Sequence, residues 1–385
     1  MHKLKQVRSA GTDINHELLK IWIARYLPEL GSISSHVRKH VEQRLRSSIS
    51  DEARLTTSQT ISHHLASDCL LATTDTKRLL STTGAFANDG WELQELSAKI
   101  EEIYRVLIDG YERSFIFSPV VDYIHVLELD EGKLEAAALV IPHFESLMLT
   151  VGPLIRELKA IYFSSINRHL IGFMTTQIHL TRKHILGHLT PYDSTWLAPY
   201  LQVLDELICM PWQRICSVAA SETDMTASVA LVRKMMPRIS SISAFTYQQA
   251  VRTFPHHISC QGRLQSLTVQ NSSLRDLNMF QAYIWLCILE DSPSVIEKQL
   301  LPLCLQVFSL TKIQWPLACF GVQTILEIIR QQLTAQEQVL FNKHADTIEQ
   351  LFLDAGNKPD QVALLKQQLQ KSNPVNSVSY TWKPN

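Results

Sequence analysis

The sequence has little glycine and lacks a long uncharged apolar run. Its 385 residues include only 12 Gly and 15 Pro, while 45 % are apolar and 19 % are charged. Scarce glycine disfavours an all-β chain, which needs many tight turns, and favours helices. No run of about 18 uncharged apolar residues occurs, so we predict no transmembrane segment. Low-complexity tracts are also absent, and the apolar fraction is high enough for a substantial core.

The cysteines show no sign of a disulfide framework or of a zinc ribbon. There are seven of them, an odd number, and no C-x-x-C pair. Most lie in apolar stretches, where cysteine packs as a small hydrophobe. This pattern is typical of a reduced, intracellular protein. Residues 1–8 also lack the apolar core of a secretory signal, so we predict a cytoplasmic protein.

Helix-start signals recur along the chain and predict an all-α fold. Apolar residues return every three or four positions, most clearly across residues 91–114. Three segments carry a capping-box pattern, in which a Ser or Thr is followed three residues later by an acid: Ser221-x-x-Asp224, Ser273-x-x-Asp276 and Thr334-x-x-Glu337. We predict a multi-helix bundle or an irregular helical stack of about fourteen helices, with no sizeable sheet.

The charge balance differs between segments. Residues 1–50 carry nine Lys/Arg and four Asp/Glu, residues 89–135 carry four and twelve, and residues 158–275 carry eleven and five. We predict an N-terminal helical segment (1–130) with an acidic second half, a larger helical domain (131–371) with a basic stretch, and a flexible tail (372–385). One interpretation is that the basic and acidic segments pair within the fold or across a homo-oligomer.

The other interpretation starts from an absence of acid. Residues 225–275 contain no Asp or Glu, although 37 acidic residues in 385 would place about five among these 51 positions. The stretch contains six cations: Arg233, Lys234, Arg238, Arg252, Arg263 and Arg275. A positive surface attracts anions and steers an acidic partner. We therefore favour a non-catalytic interaction, adaptor or regulatory protein that binds an acidic protein or an anionic ligand.

A histidine pair supports a second hypothesis, a cofactor-binding helical protein or an enzyme. His184 and His188 are four residues apart and share one face of a helix, a spacing that can ligate a transition metal or a tetrapyrrole. Ile185 stands where the zinc-protease pattern requires a Glu, which disfavours zinc hydrolysis. Two half-buried histidines on an amphipathic helix are the simpler interpretation, so we assign no metal site and no cofactor.

Motifs for nucleotide or acyl chemistry are absent from the sequence. It contains no G-x-x-x-x-G-K-[ST], no G-x-G-x-x-G and no G-x-S-x-G, so we predict no catalytic residue. Nucleic-acid binding is the third hypothesis. It is disfavoured by a sequence pI of about 6.9 and because aromatic residues in the basic stretch, such as Phe245, are equally expected in the core.

Two segments resemble a known group of proteins. Residues 210–216 read Met-Pro-Trp-Gln-Arg-Ile-Cys, and residues 273–283 read Ser-Leu-Arg-Asp-Leu-Asn-Met-Phe-Gln-Ala-Tyr. Both are similar to segments of conserved helical proteins of unassigned function from cyanobacteria. The resemblance covers the C-terminal half and implies an intracellular prokaryotic protein, but it implies no reaction and no site residue.

Overall fold

The prediction of an all-α fold is confirmed. A computed structural model describes residues 15–27, 35–80, 90–113, 116–117, 130–164, 169–221 and 226–356. In these ranges fourteen α-helices account for nearly all regular structure. The predicted flexible tail, 372–385, lies outside the described residues.

The helices are α1 His16–Ala24, α2 Ser35–Ser47, α3 Asp51–Leu80, α4 Gly90–Arg113, α5 Asp130–Ser164, α6 His169–Gly187, α7 Pro191–Cys209, α8 Trp212–Ser221, α9 Ala227–Met235, α10 Ile239–Thr253, α11 Leu267–Leu289, α12 Leu301–Thr311, α13 Trp315–Gln331 and α14 Ala335–Gly356. A 3₁₀ turn, Met236–Arg238, joins α9 to α10, and a π-helical segment, Ile296–Leu300, precedes α12.

One small hairpin interrupts the helices in the part of the chain that the structure describes. Strands β1 (Ile258–Ser259) and β2 (Gly262–Arg263) pair antiparallel, with Ile258 opposite Arg263. Gly262 has a φ of 121°, a conformation that residues with a Cβ rarely adopt. The hairpin directs the chain from the end of α10 into α11.

The predicted capping box at the start of α14 is confirmed. The Thr334 N–H donates to Glu337 Oε2 at 2.8 Å, and the Glu337 N–H donates to Thr334 Oγ1 at 3.4 Å. Two orphan donors of the first turn are thereby satisfied. The helix ends at Gly356.

The other two predicted capping boxes are wrong. Ser221 ends α8, and α9 is capped by Thr226, whose Oγ1 accepts the Val229 N–H at 3.4 Å. Ser273 lies inside α11, which begins earlier. The N-cap of this helix is Ser266, whose Oγ accepts the Val269 N–H at 3.4 Å. Since Val269 is buried, the first turn of α11 is also anchored by packing.

Helix packing crosses the predicted boundary near residue 130. Helix α3 lies along α4 and α6, α4 also packs on α5, and α1 contacts α5, α8 and α9. Helix α11 is central in the C-terminal part and contacts α8, α9, α10, α13 and α14. One continuous cluster of buried side chains includes residues from α1 to α14. The division into 1–130 and 131–371 therefore stays a prediction.

A buried ion pair fixes α1 against α7. Arg25 Nη1 lies 3.2 Å from Glu206 Oε2, and the two side chains are 10 % and 5 % exposed. The same carboxylate oxygen accepts the Tyr26 hydroxyl at 2.8 Å and the Trp22 indole N–H at 3.3 Å. The Arg25 guanidinium also lies 5.0 Å from the ring centroid of Trp212 on α8. Helix α1 is thus held to two later helices by groups that water does not reach.

Helix α5 is the most membrane-like of the described helices. Its segment Lys133–Ile161 is long and apolar enough to cross a bilayer, although only 33 % of its most apolar window is buried. Core helices of soluble proteins can have the same length and composition, so these two properties do not identify a membrane span. The side of α5 that carries Val140, Phe144 and Val151 is buried, and α5 packs on α1 and α4. The prediction of no transmembrane segment stays a prediction.

Candidate functional site

The basic stretch folds into α9, α10, the hairpin and the first part of α11. On α10 the buried side carries Ile239, Ile242, Thr246 and Ala250, so the opposite side faces solvent. Arg238 and Arg252 are both exposed, at the two ends of this outward side. They are fourteen residues apart, which corresponds to about 21 Å along a helix.

An exposed aromatic ring lies midway between these two arginines. Phe245 follows Arg238 by seven residues and precedes Arg252 by seven, so all three lie on one side of the helix. Its side chain is 48 % exposed. Sequence reasoning expected this ring equally in the core. The heptad spacing to the two arginines was the signal that could have placed it outside.

The hairpin adds a second group of the same kind. Arg263 on β2 is exposed, its partner across the ladder, Ile258, is 58 % exposed, and Leu267 at the start of α11 is 71 % exposed. Sequence reasoning missed both apolar residues. We call Arg238, Phe245, Arg252, Ile258, Arg263 and Leu267 together the arginine surface. It combines long-range attraction for anions with apolar side chains that a partner can bury.

Two of the six predicted cations are not free surface charges. Lys234 Nζ lies 2.6 Å from Glu337 Oε2, which ties α9 to the start of α14 and lowers the pKa of that carboxyl. Arg275 is only 23 % exposed and lies 3.0 Å from Asp276 Oδ1. It lies inside α11, which runs from Leu267 to Leu289. Both charges are therefore paired within the protein, and a role of either residue in partner binding stays a prediction.

Arg233 and Arg238 differ in how freely their charges face solvent. Arg233 on α9 is exposed. Arg238 Nη1 donates to Gln332 Oε1 at 2.6 Å, a neutral partner that leaves its charge uncompensated. Within the described ranges, the ion pairs of the basic stretch go to Glu337 and Asp276, and none goes to the acidic segment 89–135. Internal pairing of these two segments is therefore not observed where both are described.

The two histidines share a face as predicted, and that face packs on α3. His188 Nε2 lies 3.0 Å from Asp68 Oδ1, a carboxylate whose side chain is 3 % exposed, and its ring stacks on His64 at 4.3 Å between centroids. His184 Nε2 lies 3.5 Å from a different carboxylate, Asp75. Each imidazole thus has its own acidic neighbour on α3, and the two contacts hold the C-terminal end of α6 against α3. In the described ranges no three His, Cys, Asp or Glu side chains are grouped to hold a metal ion.

A crevice lies between α10, α11 and α13. Its cavity of about 70 Å³ is lined mainly by apolar side chains, including Tyr247, Phe280 and Leu317. Its polar lining residues include Thr246, Ser273 and Asp276, and Thr246 Oγ1 is buried without a hydrogen-bond partner. Pockets for drug-sized ligands are several times larger, about 300–1,000 Å³. The crevice therefore suits a few waters or a small ring, and it does not strengthen the cofactor hypothesis.

Comparison with known proteins links the C-terminal half to one family. Residues 213–351 match the model of the family described as Phycobilisome protein. The match spans 139 of 385 residues, from α8 into α14, and contains the whole arginine surface. It supports the coarser part of the resemblance noted above, a link to an all-helical family of cyanobacterial type. Comparisons with curated proteins and with solved structures give no match.

Proposed function

We propose that this protein is a non-catalytic interaction protein, of adaptor or regulatory type, that docks an acidic partner protein on its arginine surface. The carrying observation is that three exposed arginines alternate with three exposed apolar side chains on adjacent elements: Arg238, Phe245, Arg252, Ile258, Arg263 and Leu267. The arginines accelerate encounter and fix orientation. Phe245, Ile258 and Leu267 supply apolar area whose burial stabilises the complex.

The family match supports the same class of function. A phycobilisome protein is by its description a component of a larger body, and the matching region here contains the proposed docking surface. We place the protein in the cytoplasm as part of the proposal, on the basis of its free cysteines.

The test compares partner capture by three full-length proteins in native lysate at low and high salt. The first is wild type and the second carries Arg238→Glu and Arg252→Glu. The third carries Lys183→Glu and Lys298→Glu, exposed cations outside the stretch, and so changes net charge equally. We expect wild type and the control to retain an acidic protein that the arginine variant loses. The affinity of the arginine variant for that protein should be about tenfold lower than that of wild type. The two affinities should differ less at high salt.

The outcomes separate protein docking from nucleic-acid binding. Equal capture by all three proteins contradicts the arginine surface as the docking site. Capture that nuclease abolishes assigns the surface to nucleic acid, for which Phe245 between two arginines would be a stacking platform. Circular dichroism of each variant should match wild type, because the four substituted residues are exposed.

A further inference from the structure

The outer face of α3 is an uncharged stripe that runs almost the length of the helix. Helix α3 has 30 residues and is about 45 Å long. Its inner side packs on α4 and α6. From residue 55 to residue 74 the exposed positions carry no Asp, Glu, Lys or Arg: Leu55, Thr56, Gln59, Ser62, His63, Ala66, Ser67, Leu70, Leu71 and Thr74. Leu70 and Leu71 are 67 % and 52 % exposed. Contact of these leucines with water is unfavourable, and a partner that covers them would remove that contact.

Opposite charges stand at the two ends of this stripe. Asp51 and Glu52 are exposed in the first turn, and Lys77 and Arg78 are exposed in the last. Asp51 contacts Arg54 at 2.7 Å and Arg78 contacts Asp75 at 2.9 Å, both on α3 itself. Glu52 and Lys77 have no ion pair within the described residues. Each end therefore retains charge for a partner.

Most of the exposed positions are symmetric about the middle of the helix. Counted inward from the two ends, residues 51 and 78, 52 and 77, 55 and 74, 59 and 70, 62 and 67, and 63 and 66 are all exposed. Thr56 and Leu71 break the pattern, because their counterparts, Thr73 and Ser58, are buried. A second copy of α3 laid antiparallel, with its two-fold axis between His64 and Leu65, would match the positions of the symmetric pairs. Glu52 would then face Lys77 of the second copy, and the converse pair would form at the other end.

We propose that α3 is the self-association face of this protein, and that its occupant is α3 of a second copy in antiparallel orientation. Two-fold symmetry makes such an interface self-complementary and closes it at two chains. Ser62, Ala66 and Ser67 are small, so the helices can approach near the axis, while Leu55, Leu70 and Leu71 supply apolar area on either side. A parallel pair would place like charges together at both ends. The face lies outside residues 213–351, so the proposal does not depend on the arginine surface.

The test is a charge swap read by sedimentation equilibrium of the full-length chain. We expect wild type to dimerise. Glu52→Lys makes both ends basic, and Lys77→Glu makes both ends acidic, so each variant alone should dimerise about tenfold more weakly because two symmetric pairs become repulsive. An equimolar mixture of the two should form a heterodimer of near wild-type affinity, since each basic end then meets an acidic one.

Apolar variants complete the test. Leu70→Lys should weaken dimerisation by about a hundredfold, because the leucine is buried twice in the dimer. Leu149→Lys on α5, where the leucine is 78 % exposed, is the matched control and should leave the dimer unchanged. A monomeric wild type at tens of micromolar overturns the proposal. So does a dimer that the single reversals weaken but their mixture fails to restore, because an antiparallel pair must show that rescue.

Discussion

The region before residue 212 and the region from 213 to 351 expose apolar residues in different settings. On α3, the exposed leucines lie in a stripe without Asp, Glu, Lys or Arg, and the exposed residues of these four types are confined to the helix ends. On α10 and the hairpin, exposed apolar residues alternate with arginines, and no acidic residue occurs in the surrounding 51 positions. The first arrangement is complementary to itself, whereas the second requires a partner of opposite charge. One chain can therefore carry a surface for its own copy and another for a different protein.

Helix α1 contacts helices of both regions, and its ion pair with α7, inside the first region, gives the largest expected effect. Arg25→Ala leaves Glu206 buried without its cation, and should lower the free energy of unfolding by about 3–5 kcal/mol. Urea unfolding followed by circular dichroism measures the loss. A single transition in the variant would show that both regions still unfold together, and two transitions would separate them.

The control for this prediction lies on the same helix. Lys20 contacts Glu17 at 2.9 Å, but the glutamate is 58 % exposed. Lys20→Ala should therefore cost no more than about 1 kcal/mol. Equal losses for the two variants would mean that burial of the Arg25–Glu206 pair is not what holds α1.

A second contact between the regions should make stability depend on pH. Burial, with a further effect of Arg275, lowers the pKa of His179 on α6 to about 4, while Asp205 opposes the shift. Between pH 4 and 6.5 the unfolded chain binds a proton that the folded chain does not. The free energy of unfolding should therefore fall as pH falls through this window, by about 3 kcal/mol from this group.

The measurement is urea unfolding at pH 7 and pH 4.5, for wild type and His179→Leu. His179 Nδ1 has no hydrogen-bond partner, so the apolar replacement loses no such bond there. The pKa values of His257 and His344 are also lowered by burial, but these residues are present in both proteins. The variant should lose less stability on acidification. Identical losses would exclude His179 as a source of the pH dependence.

A pair of glycines gives the smallest expected effect and compares packing at the end of α14 with packing in α4. A Cβ on Gly356, at the end of α14, would overlap the ring of Trp315, whereas a Cβ on Gly110 in α4 would meet no atom within 4 Å. Gly356→Ala should cost about 1–3 kcal/mol through overpacking. Gly110→Ala should stabilise by about 0.5–1 kcal/mol, because alanine favours the helix. Thermal unfolding of both variants checks the opposite signs.

Much of the fold followed from local patterns in the sequence. The all-α class was predictable from scarce glycine and recurrent apolar spacing, and the helix across residues 91–114 is observed as Gly90–Arg113. The Thr334–Glu337 box was predictable because both cap residues act within one turn. The start of α11 was not, since Ser273 has an acid three residues later whereas Ser266, the observed N-cap, is followed at that position by the buried Val269.

The candidate site was predictable only as a composition. The absence of acid in residues 225–275 indicated a basic surface, but not which cations reach solvent. Lys234 and Arg275 meet Glu337 and Asp276 because of how α14 and α11 pack. The identity of the site as a partner-binding surface stays a prediction, as do the boundaries at residues 130 and 371.

The short helix α1 has a consequence for the order in which the chain is completed. The Asn15 N–H donates to the Cys216 carbonyl at 3.0 Å, across 201 positions of sequence. Helix α1 also contacts α9 and the 3₁₀ turn at Met236–Arg238. During synthesis α1 can meet α5 once that helix has left the ribosome, but its packing is complete only after some 220 further residues have followed. The helix is therefore among the last to complete its contacts, and a nascent chain stalled before α8 would leave part of its buried surface uncovered.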